Sequence, residues 1–328
     1  MNFADRLLVS IDKKENIGIV GLDPDIEFIP QFIQDEGLDK FPPICEDDFR
    51  AEGFILYEFN KRIIDAVADI TPAVKLNIAF YEVYKAAGID AFDKTVKYAK
   101  EKGLFVAEDG KRNDVGNTAR KYSEAHLGKV KRACRKGEVR KEVSSFNLDA
   151  LTVNGYIGSD CVLEFVKDCK EYGKVIFVLD KTSNPSAGEL QDEFLESKLK
   201  LSERMAQLID RKWSEGTTGE EGYKTVGAVV GATVADTKTL REIMKTSIFL
   251  MPGYGAQGGR AEEIPNSLNE DGRGAIVNSS RGIIAAYQKS PYFEKYGEEG
   301  FYKASHEEAI RMREDINDAL RKSGKSRW

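Results

Sequence analysis

The segment VAEDGKRNDVGNTA, residues 106–119, places three side chains that could do chemistry close together: Asp109, Lys111 and Asp114. It includes the end of an apolar run typical of a strand. Nearby carboxylates favour the charged form of an amine, so we expect Lys111 to stay protonated and to act as a proton donor rather than as a nucleophile. The alternative is a structural ion-pair network at the end of a strand.

Two glycine-rich segments, MPGYGAQGG at 251–259 and NSSRGI at 278–283, indicate a second kind of site. Glycine lets backbone N–H groups approach an anion closely, and Arg281 can add a bidentate, permanently charged clamp. Together these residues predict a phosphate site. The alternative is that the glycines only form turns.

The polar residues follow short apolar runs that are rich in β-branched residues, which we interpret as strands. Helical periodicity occupies the segments between them, for example at 55–70 and 189–213. The eight predicted strand segments are 17–25, 73–79, 104–112, 150–155, 174–182, 225–233, 247–255 and 274–282.

Alternating strands and helices predict the fold class α/β, with a parallel sheet buried on both faces. Eight units in 328 residues without a linker favour one closed (β/α)₈ TIM barrel, a single domain over 1–328 whose catalytic face lies at the carboxyl ends of the strands. We interpret the basic insertion at 129–147 as a solvated helix and loop, with a steering patch for an anionic substrate as the alternative. The other expected features are an insertion after strand one at 35–49, an N-terminal helix at about 2–12, a final helix at about 305–322 and a frayed tail at about 322–328.

The composition narrows the class of partner to small molecules. The formal net charge of −6 argues against a nucleic-acid-binding protein, which would carry a basic surface. No apolar run approaches the roughly 18 residues needed to span a membrane, and the opening pattern resembles an amphipathic helix rather than a signal peptide, so we expect a cytoplasmic protein. The four cysteines show no CxxC spacing and the chain has two histidines, so we expect reduced structural thiols and no zinc site.

Seven motifs resemble, in the same order, those of the orotidine 5′-phosphate decarboxylase family in its longer bacterial branch. DGKRNDVGNTA looks like the Asp-x-Lys-x-x-Asp signature of that family, and the others are VKLNIAFYE, LTVNGYIGSD, KTSNPSAGELQ, VGAVVGAT, PGYGAQGG and VNSSRGI. The resemblance covers about residues 17–287. It implies a (β/α)₈ barrel that works as a homodimer, needs no metal or organic cofactor, and converts orotidine 5′-monophosphate into UMP and CO₂ in pyrimidine biosynthesis.

The resemblance also implies roles for individual residues. Lys111 would protonate C6 of the pyrimidine as CO₂ leaves, and Asp109 would face the departing carboxylate. Lys75 would complete the charged array, and both Lys75 and Asp23 would bind ribose hydroxyls. The remaining residues would hold other parts of the nucleotide: Asp114 and Thr118 the ribose in the other subunit, Ser183 or its neighbour Thr182 the pyrimidine edge, and Gln257, Arg281 and the Gly282 backbone the phosphate.

Two other functions stay open. An aldolase-type barrel would use Lys111 or Lys75 to form a Schiff base with a sugar phosphate, which needs a neutral amine in an apolar or cationic setting. A non-catalytic nucleotide-binding protein would keep the phosphate loops, but binding alone would not need Asp109, Lys111 and Asp114 together.

Overall fold

The computed structural model describes residues 2–255 and 258–328. Each of the predicted strand segments contains one barrel strand. The strands in this part of the chain are β1 (Gly18–Gly21), β2 (Ala73–Asn77), β3 (Phe105–Arg112), β4 (Val130–Lys131), β5 (Glu142–Val143), β6 (Ala150–Val153), β7 (Val175–Lys181), β8 (Val226–Val230), β9 (Phe249–Pro252) and β10 (Ala275–Ser279).

Eight of these strands form a closed parallel barrel, which confirms the predicted fold class. Their order is β1, β2, β3, β6, β7, β8, β9 and β10, which pairs with β1 again. Strands such as β8, with the sequence VGAVV, are fully buried and filled by β-branched and small residues, whereas the carboxyl end of β3 is half-buried or exposed. Their carboxyl ends carry the polar residues picked out by the motifs.

Helices separate the barrel strands, as the periodicity predicts. In the described residues they are α1 (Phe3–Lys14), α2 (Gln31–Lys40), α3 (Arg50–Val67), α4 (Ala79–Glu82), α5 (Lys85–Glu101), α6 (Gly116–His126), α7 (Ser159–Tyr172), α8 (Gly188–Gln191), α9 (Leu201–Gln207), α10 (Thr237–Ile243), α11 (Arg281–Ile284), α12 (Tyr292–Tyr296) and α13 (Phe301–Lys322).

Contacts within the chain group its residues into two compact units. Unit 1 consists of the segment ending at Val9, Gly110–Pro252 and Asn266–Ala275, and unit 2 consists of Ser10–Asp109, Gly253–Pro265 and Ile276–Trp328. The boundary falls inside β3, and the single-domain organisation expected from the sequence stays a prediction. In unit 2 the buried rings of Phe59 and Phe301 stack at 5.1 Å, which joins α3 to α13.

The predicted continuous helix at 189–213 is wrong in its middle. Helix α8 ends at Gln191, an antiparallel bridge joins Phe194 to Lys200, and α9 begins only at Leu201 before a π-helical turn at Leu208–Trp213. The apolar periodicity misleads here because Phe194 is 70 % exposed and contributes little to a helix–core contact. Lys198 also adopts a left-handed backbone with φ 62°, which an α-helix does not allow.

Two smaller expectations are corrected. The basic insertion at 129–147 forms the antiparallel hairpin β4–β5 instead of a helix and loop, with Gly137 between the strands at φ 92°. The C-terminal tail is not frayed, because Arg327 pairs with Asp12 at 2.9 Å and Lys325 Nζ donates to the carbonyl of Pro265 at 3.0 Å.

Candidate active site

The amine of Lys75 lies between two carboxylates of unit 2. Strand pairing sets Lys75 beside Gly21 at the end of β1, and Asn77 beside Asp109 on β3. Lys75 Nζ is 3.0 Å from Asp23 Oδ1 and 3.7 Å from Asp109 Oδ2, and its side chain is only 5 % exposed. Asp23 also accepts the N–H of Asn77 at 2.9 Å, so its carboxylate is held from two sides.

These contacts fix the charge of Lys75. Burial alone would lower the pKa of Lys75, because the ammonium loses its hydration, but the carboxylates of Asp23 and Asp109 outweigh this and raise the pKa above its usual value. Lys75 is therefore an ammonium ion at neutral pH. It lacks the neutral amine that a Schiff-base aldolase needs.

Buried polar groups hold the end of β1 in place. The Leu22 N–H donates to the carbonyl of Lys75 at 2.7 Å, and the hydroxyl of Tyr81 donates to the carbonyl of Leu22 at 2.9 Å. Asn60 Nδ2 in turn donates to the hydroxyl of Tyr81 at 2.8 Å. Because Leu22 precedes Asp23, this chain limits movement of the carboxylate toward or away from Lys75.

Lys111 and Asp114 adopt backbone conformations that are rare for residues other than glycine. Their φ angles are 46° and 154°. The N–H of Lys111 donates to the buried Thr152 hydroxyl at 2.9 Å, and the N–H of Asn154 donates to the carbonyl of Arg112 at 2.9 Å, which ties the end of β3 to β6. Such strain costs roughly 1–3 kcal/mol per residue and clusters at functional sites. The side chain of Lys111 is exposed, as a group that meets a substrate must be before binding.

The predicted phosphate residues lie at the end of β10 in unit 2. Arg281 begins α11 with an exposed side chain, and no carboxylate pairs with it within 2–255 and 258–328. The neighbouring end of β1 approaches closely, since a Cβ on Gly21 would lie 1.9 Å from the hydroxyl oxygen of Ser280. Gly282 follows Arg281 and is half-buried, and a Cβ there would lie 2.8 Å from the hydroxyl oxygen of Ser279. The guanidinium of Arg281 is therefore available to a ligand, next to the closely packed backbone at Gly21 and Gly282.

The loop after β9 brings further backbone groups to unit 2. Gly253, Gly255 and Gly258 have φ angles of 101°, 72° and 88°, which only glycine adopts readily. The N–H of Gly255 donates to the carbonyl of Gly259 at 2.9 Å, and the carbonyl of Tyr254 accepts the Ser279 hydroxyl at 3.4 Å. Gln257 lies outside the described residues, so its phosphate contact stays a prediction.

The segment after β7 in unit 1 distinguishes Thr182 from Ser183. The Thr182 hydroxyl lies 2.6 Å from Asn184 Oδ1 and 2.9 Å from Gln191 Nε2, so its hydrogen-bonding capacity is used within the segment. The half-buried Ser183 makes no side-chain hydrogen bond to any residue that the structure describes. A Cβ on Gly231 would lie 2.8 Å from the Cβ of Ser183, so this segment packs directly on the end of β8.

The structure brings three of the predicted residues in unit 2 into contact with one another. Asp23, Lys75 and Asp109 touch, whereas Thr118 is exposed on the first turn of α6 and Asp114 caps the N–H of Val115 at 2.7 Å. Sequence reasoning missed three supporting residues: Thr152, Tyr81 and Gln191. All three lie inside the motifs named above, but only Thr152 stands out by residue type, as a polar residue in the apolar strand β6.

Other expectations concern metals, thiols and membranes. Within the described ranges, no group of three or more histidine, cysteine or acidic side chains is arranged to hold a metal ion. The four cysteines are free thiols, as expected, and Cys161 and Cys169 are buried. Within residues 2–255 and 258–328, no helix has the length and apolar character needed to cross a membrane.

Asp180 is a buried carboxyl group in a β-bulge of β7. Leu179 pairs with Val229 and Lys181 with Val230, so Asp180 is the extra residue. Both its oxygens lack a hydrogen-bond partner among the described residues. Burial raises the pKa of Asp180 well above 3.8, although Lys181 opposes the shift. The folded protein therefore keeps a proton on Asp180 that the unfolded chain loses.

We predict that Asp180→Asn stabilises the protein more at pH 8 than at pH 5. Where the folded state binds more protons than the unfolded state, the free energy of unfolding falls as the pH rises, and an amide removes this loss. Urea unfolding at both pH values measures the effect, with Asp39→Asn on the exposed side of α2 as the control. An equal change at the two pH values would contradict it.

Comparison with known proteins identifies the family. The family model for orotidine 5′-phosphate decarboxylase / HUMPS matches residues 19–296. Orotidine 5′-phosphate decarboxylase from Caldicellulosiruptor saccharolyticus is 40 % identical over 98 % of this chain and 99 % of its own, and that from Rhodopirellula baltica is 36 % identical over 96 % and 99 %. The structure of Leishmania donovani OMP decarboxylase superposes with a TM-score of 0.69 at 25 % identity, covering 97 % of this chain and 98 % of its own. The chain therefore belongs to the orotidine 5′-phosphate decarboxylase family, and its enzyme class is that of the carboxy-lyases.

Proposed function

We propose that this protein converts orotidine 5′-monophosphate into UMP and CO₂ in pyrimidine biosynthesis, with Lys111 as the proton donor. The main support for this proposal is the buried ammonium of Lys75 between the carboxylates of Asp23 and Asp109. Asp109 in turn precedes the exposed Lys111 by two residues on β3. Family membership supports the same reaction. The carboxyl ends of barrel strands, where these residues lie, form the catalytic face of this fold.

The reaction needs stabilised charge more than it needs a nucleophile. When the bond from C6 to the carboxylate breaks, its electron pair stays on C6 and neutral CO₂ leaves. No adjacent carbonyl is placed to absorb that pair, so a nearby ammonium must stabilise the carbanion and then protonate it. Lys111 does both in this proposal, and the fixed charges of Lys75 and Asp109 need no reorganisation during the step. Repulsion between Asp109 and the substrate carboxylate is a secondary contribution.

The remaining predicted residues bind parts of the substrate that do not react. Ser183 contacts the pyrimidine edge, because its hydroxyl is the one left available in its segment. Arg281, Gly282 and Gln257 hold the phosphate, and Asp23 and Lys75 hold ribose hydroxyls. Binding energy from the phosphate is remote from the breaking bond and serves to hold the catalytic charges in place around C6.

A homodimer completes the site in this proposal. Asp114 and Thr118 reach the ribose bound by the other subunit. Apolar side chains are exposed beside them in unit 1, on the 3₁₀ turn after β6, on α7 and at the start of α6, as expected of a surface that a second subunit covers. These side chains are Val115, Tyr156, Ile157 and Leu163. We place this dimer in the cytoplasm.

We predict that Lys111→Ala lowers kcat for decarboxylation by about 10²–10⁴-fold, the usual contribution of general acid catalysis. Binding of UMP should weaken far less, because the proton donor acts mainly on the transition state. The loss of ultraviolet absorbance of orotidine 5′-monophosphate, followed in excess chelator, measures turnover. Lys97→Ala, on the exposed side of α5, is the matched control.

Either of two results would overturn this assignment. Turnover by Lys111→Ala at the wild-type rate would remove Lys111 from the chemistry. Unchanged substrate with the wild type, together with tight UMP binding, would favour a non-catalytic nucleotide-binding protein. A covalent adduct trapped by borohydride with a carbonyl substrate would instead favour an aldolase.

We also predict that two inactive variants complement each other. A mixed dimer of Lys111→Ala and Asp114→Ala contains one site with both residues intact, since Asp114 comes from the other subunit. Random assembly from equal amounts makes half the dimers mixed, so about one quarter of the wild-type sites are restored. Co-expression followed by the absorbance assay measures this recovery. Activity no higher than the average of the two parents would contradict a shared site.

A further inference from the structure

We propose that Gln191 is a positioning residue that fixes the segment after β7 so that Ser183 meets the pyrimidine. This inference rests on the proposed function, because it concerns the base of the same nucleotide. Gln191 ends helix α8 and is half-buried. It is the last residue of the motif KTSNPSAGELQ and also lies in the segment 189–213, for which the sequence predicts helical periodicity.

The amide of Gln191 engages both the backbone and the side chain of Thr182. Its Oε1 accepts the N–H of Thr182 at 2.9 Å, and its Nε2 donates to the Thr182 hydroxyl oxygen at 2.9 Å. A primary amide is suited to this task because it carries an acceptor and a donor side by side. The pair of contacts fixes both the backbone direction and the side-chain rotamer of Thr182.

These two hydrogen bonds, called here the Gln191–Thr182 clamp, determine which hydroxyl is left for a ligand. The Thr182 hydroxyl accepts from Gln191 and donates to Asn184 Oδ1 at 2.6 Å, so both of its roles are taken. Ser183 follows directly and keeps its hydroxyl unbonded among the described residues. The position of Ser183 is also restrained by Gly231, because the two residues pack so closely that a Cβ on Gly231 would not fit.

A series of ion pairs holds the end of α8, where Gln191 lies. Asp192, the residue after Gln191, accepts from Lys181 Nζ at 2.7 Å and lies 3.5 Å from Lys200 Nζ. Lys200 Nζ continues to Asp236 at 2.6 Å, in the loop after β8. The side chain of Lys181 is 8 % exposed and that of Asp192 is 40 % exposed. These ion pairs tie the end of α8 to β7 and to the loop after β8.

The consequence is a Ser183 hydroxyl that is held in place before the substrate binds. Preorganised contacts cost less ordering entropy on binding than flexible ones. Loss of the clamp should therefore weaken recognition of the pyrimidine and leave recognition of ribose and phosphate unchanged. A residue with only a structural role would affect all parts of the ligand alike.

The test compares Gln191→Ala with two controls. Glu189→Ala changes an exposed residue of the same short helix whose side chain makes no hydrogen bond or ion pair with any described residue. Gln191→Glu keeps an acceptor for the Thr182 N–H, so it should fold even if the alanine variant does not, and should bind UMP within about threefold of the wild type. Gln191→Ala should bind UMP about tenfold more weakly, while binding of ribose 5-phosphate stays unchanged.

A double-mutant cycle decides whether Gln191 acts through Ser183. With Ser183→Ala already present, Gln191→Ala should weaken UMP binding less than twofold further. Equal losses of UMP and ribose 5-phosphate binding, or fully additive losses in the cycle, would overturn the proposal. The assay measures UMP binding directly, without turnover. If the wild type binds UMP but does not decarboxylate orotidine 5′-monophosphate, the proposed decarboxylase activity is refuted, and the role of Gln191 can still be tested. A wild type that does not bind UMP would overturn both.

Discussion

The ammonium of Lys75 is buried, and it is tolerated there because the carboxylates of Asp23 and Asp109 lie beside it. A buried charge without such partners would cost several kcal/mol or lose its proton. Lys75 lies on β2, Asp109 lies on β3 and Asp23 follows the end of β1, so their distances depend on the register of β1, β2 and β3. A one-residue slip would send Lys75 to the other face of the sheet and break the array.

This constraint explains the arrangement of the residues around it. The end of β1 is held by Tyr81 and Asn60, and its Gly21 admits the close approach of Ser280 from β10. In unit 1 the strained backbone of Lys111 is held by Thr152, while Gln191 holds the segment of Ser183. Fixed supports of this kind are what electrostatic catalysis requires, because the charges must not relax when the substrate changes.

The sequence predicts the barrel and its strand ends because both depend on local patterns. Near-continuous apolar runs indicate buried parallel strands, and polar residues after them indicate the catalytic face. The helix at 189–213 is mispredicted because Phe194 fits the apolar period yet points to solvent. Gln191 and Tyr81 lie inside recognised motifs, but the sequence does not reveal their roles, because these depend on hydrogen bonds to other segments. Gln191 bonds Thr182 after β7, and Tyr81 bonds the carbonyl of Leu22 after β1. The ordered tail depends likewise on the pairing of Arg327 with Asp12, 315 residues away.

A double-mutant cycle on kcat for decarboxylation tests whether the charges of Asp23 and Lys75 act together. It compares Asp23→Asn, Lys75→Met and the double variant, each first shown to be folded. If the charges act as one preorganised unit, the double variant should lose little more activity than the more damaged single variant. If the two losses multiply instead, Asp23 and Lys75 contribute independently, and the account of a coupled charged array is wrong.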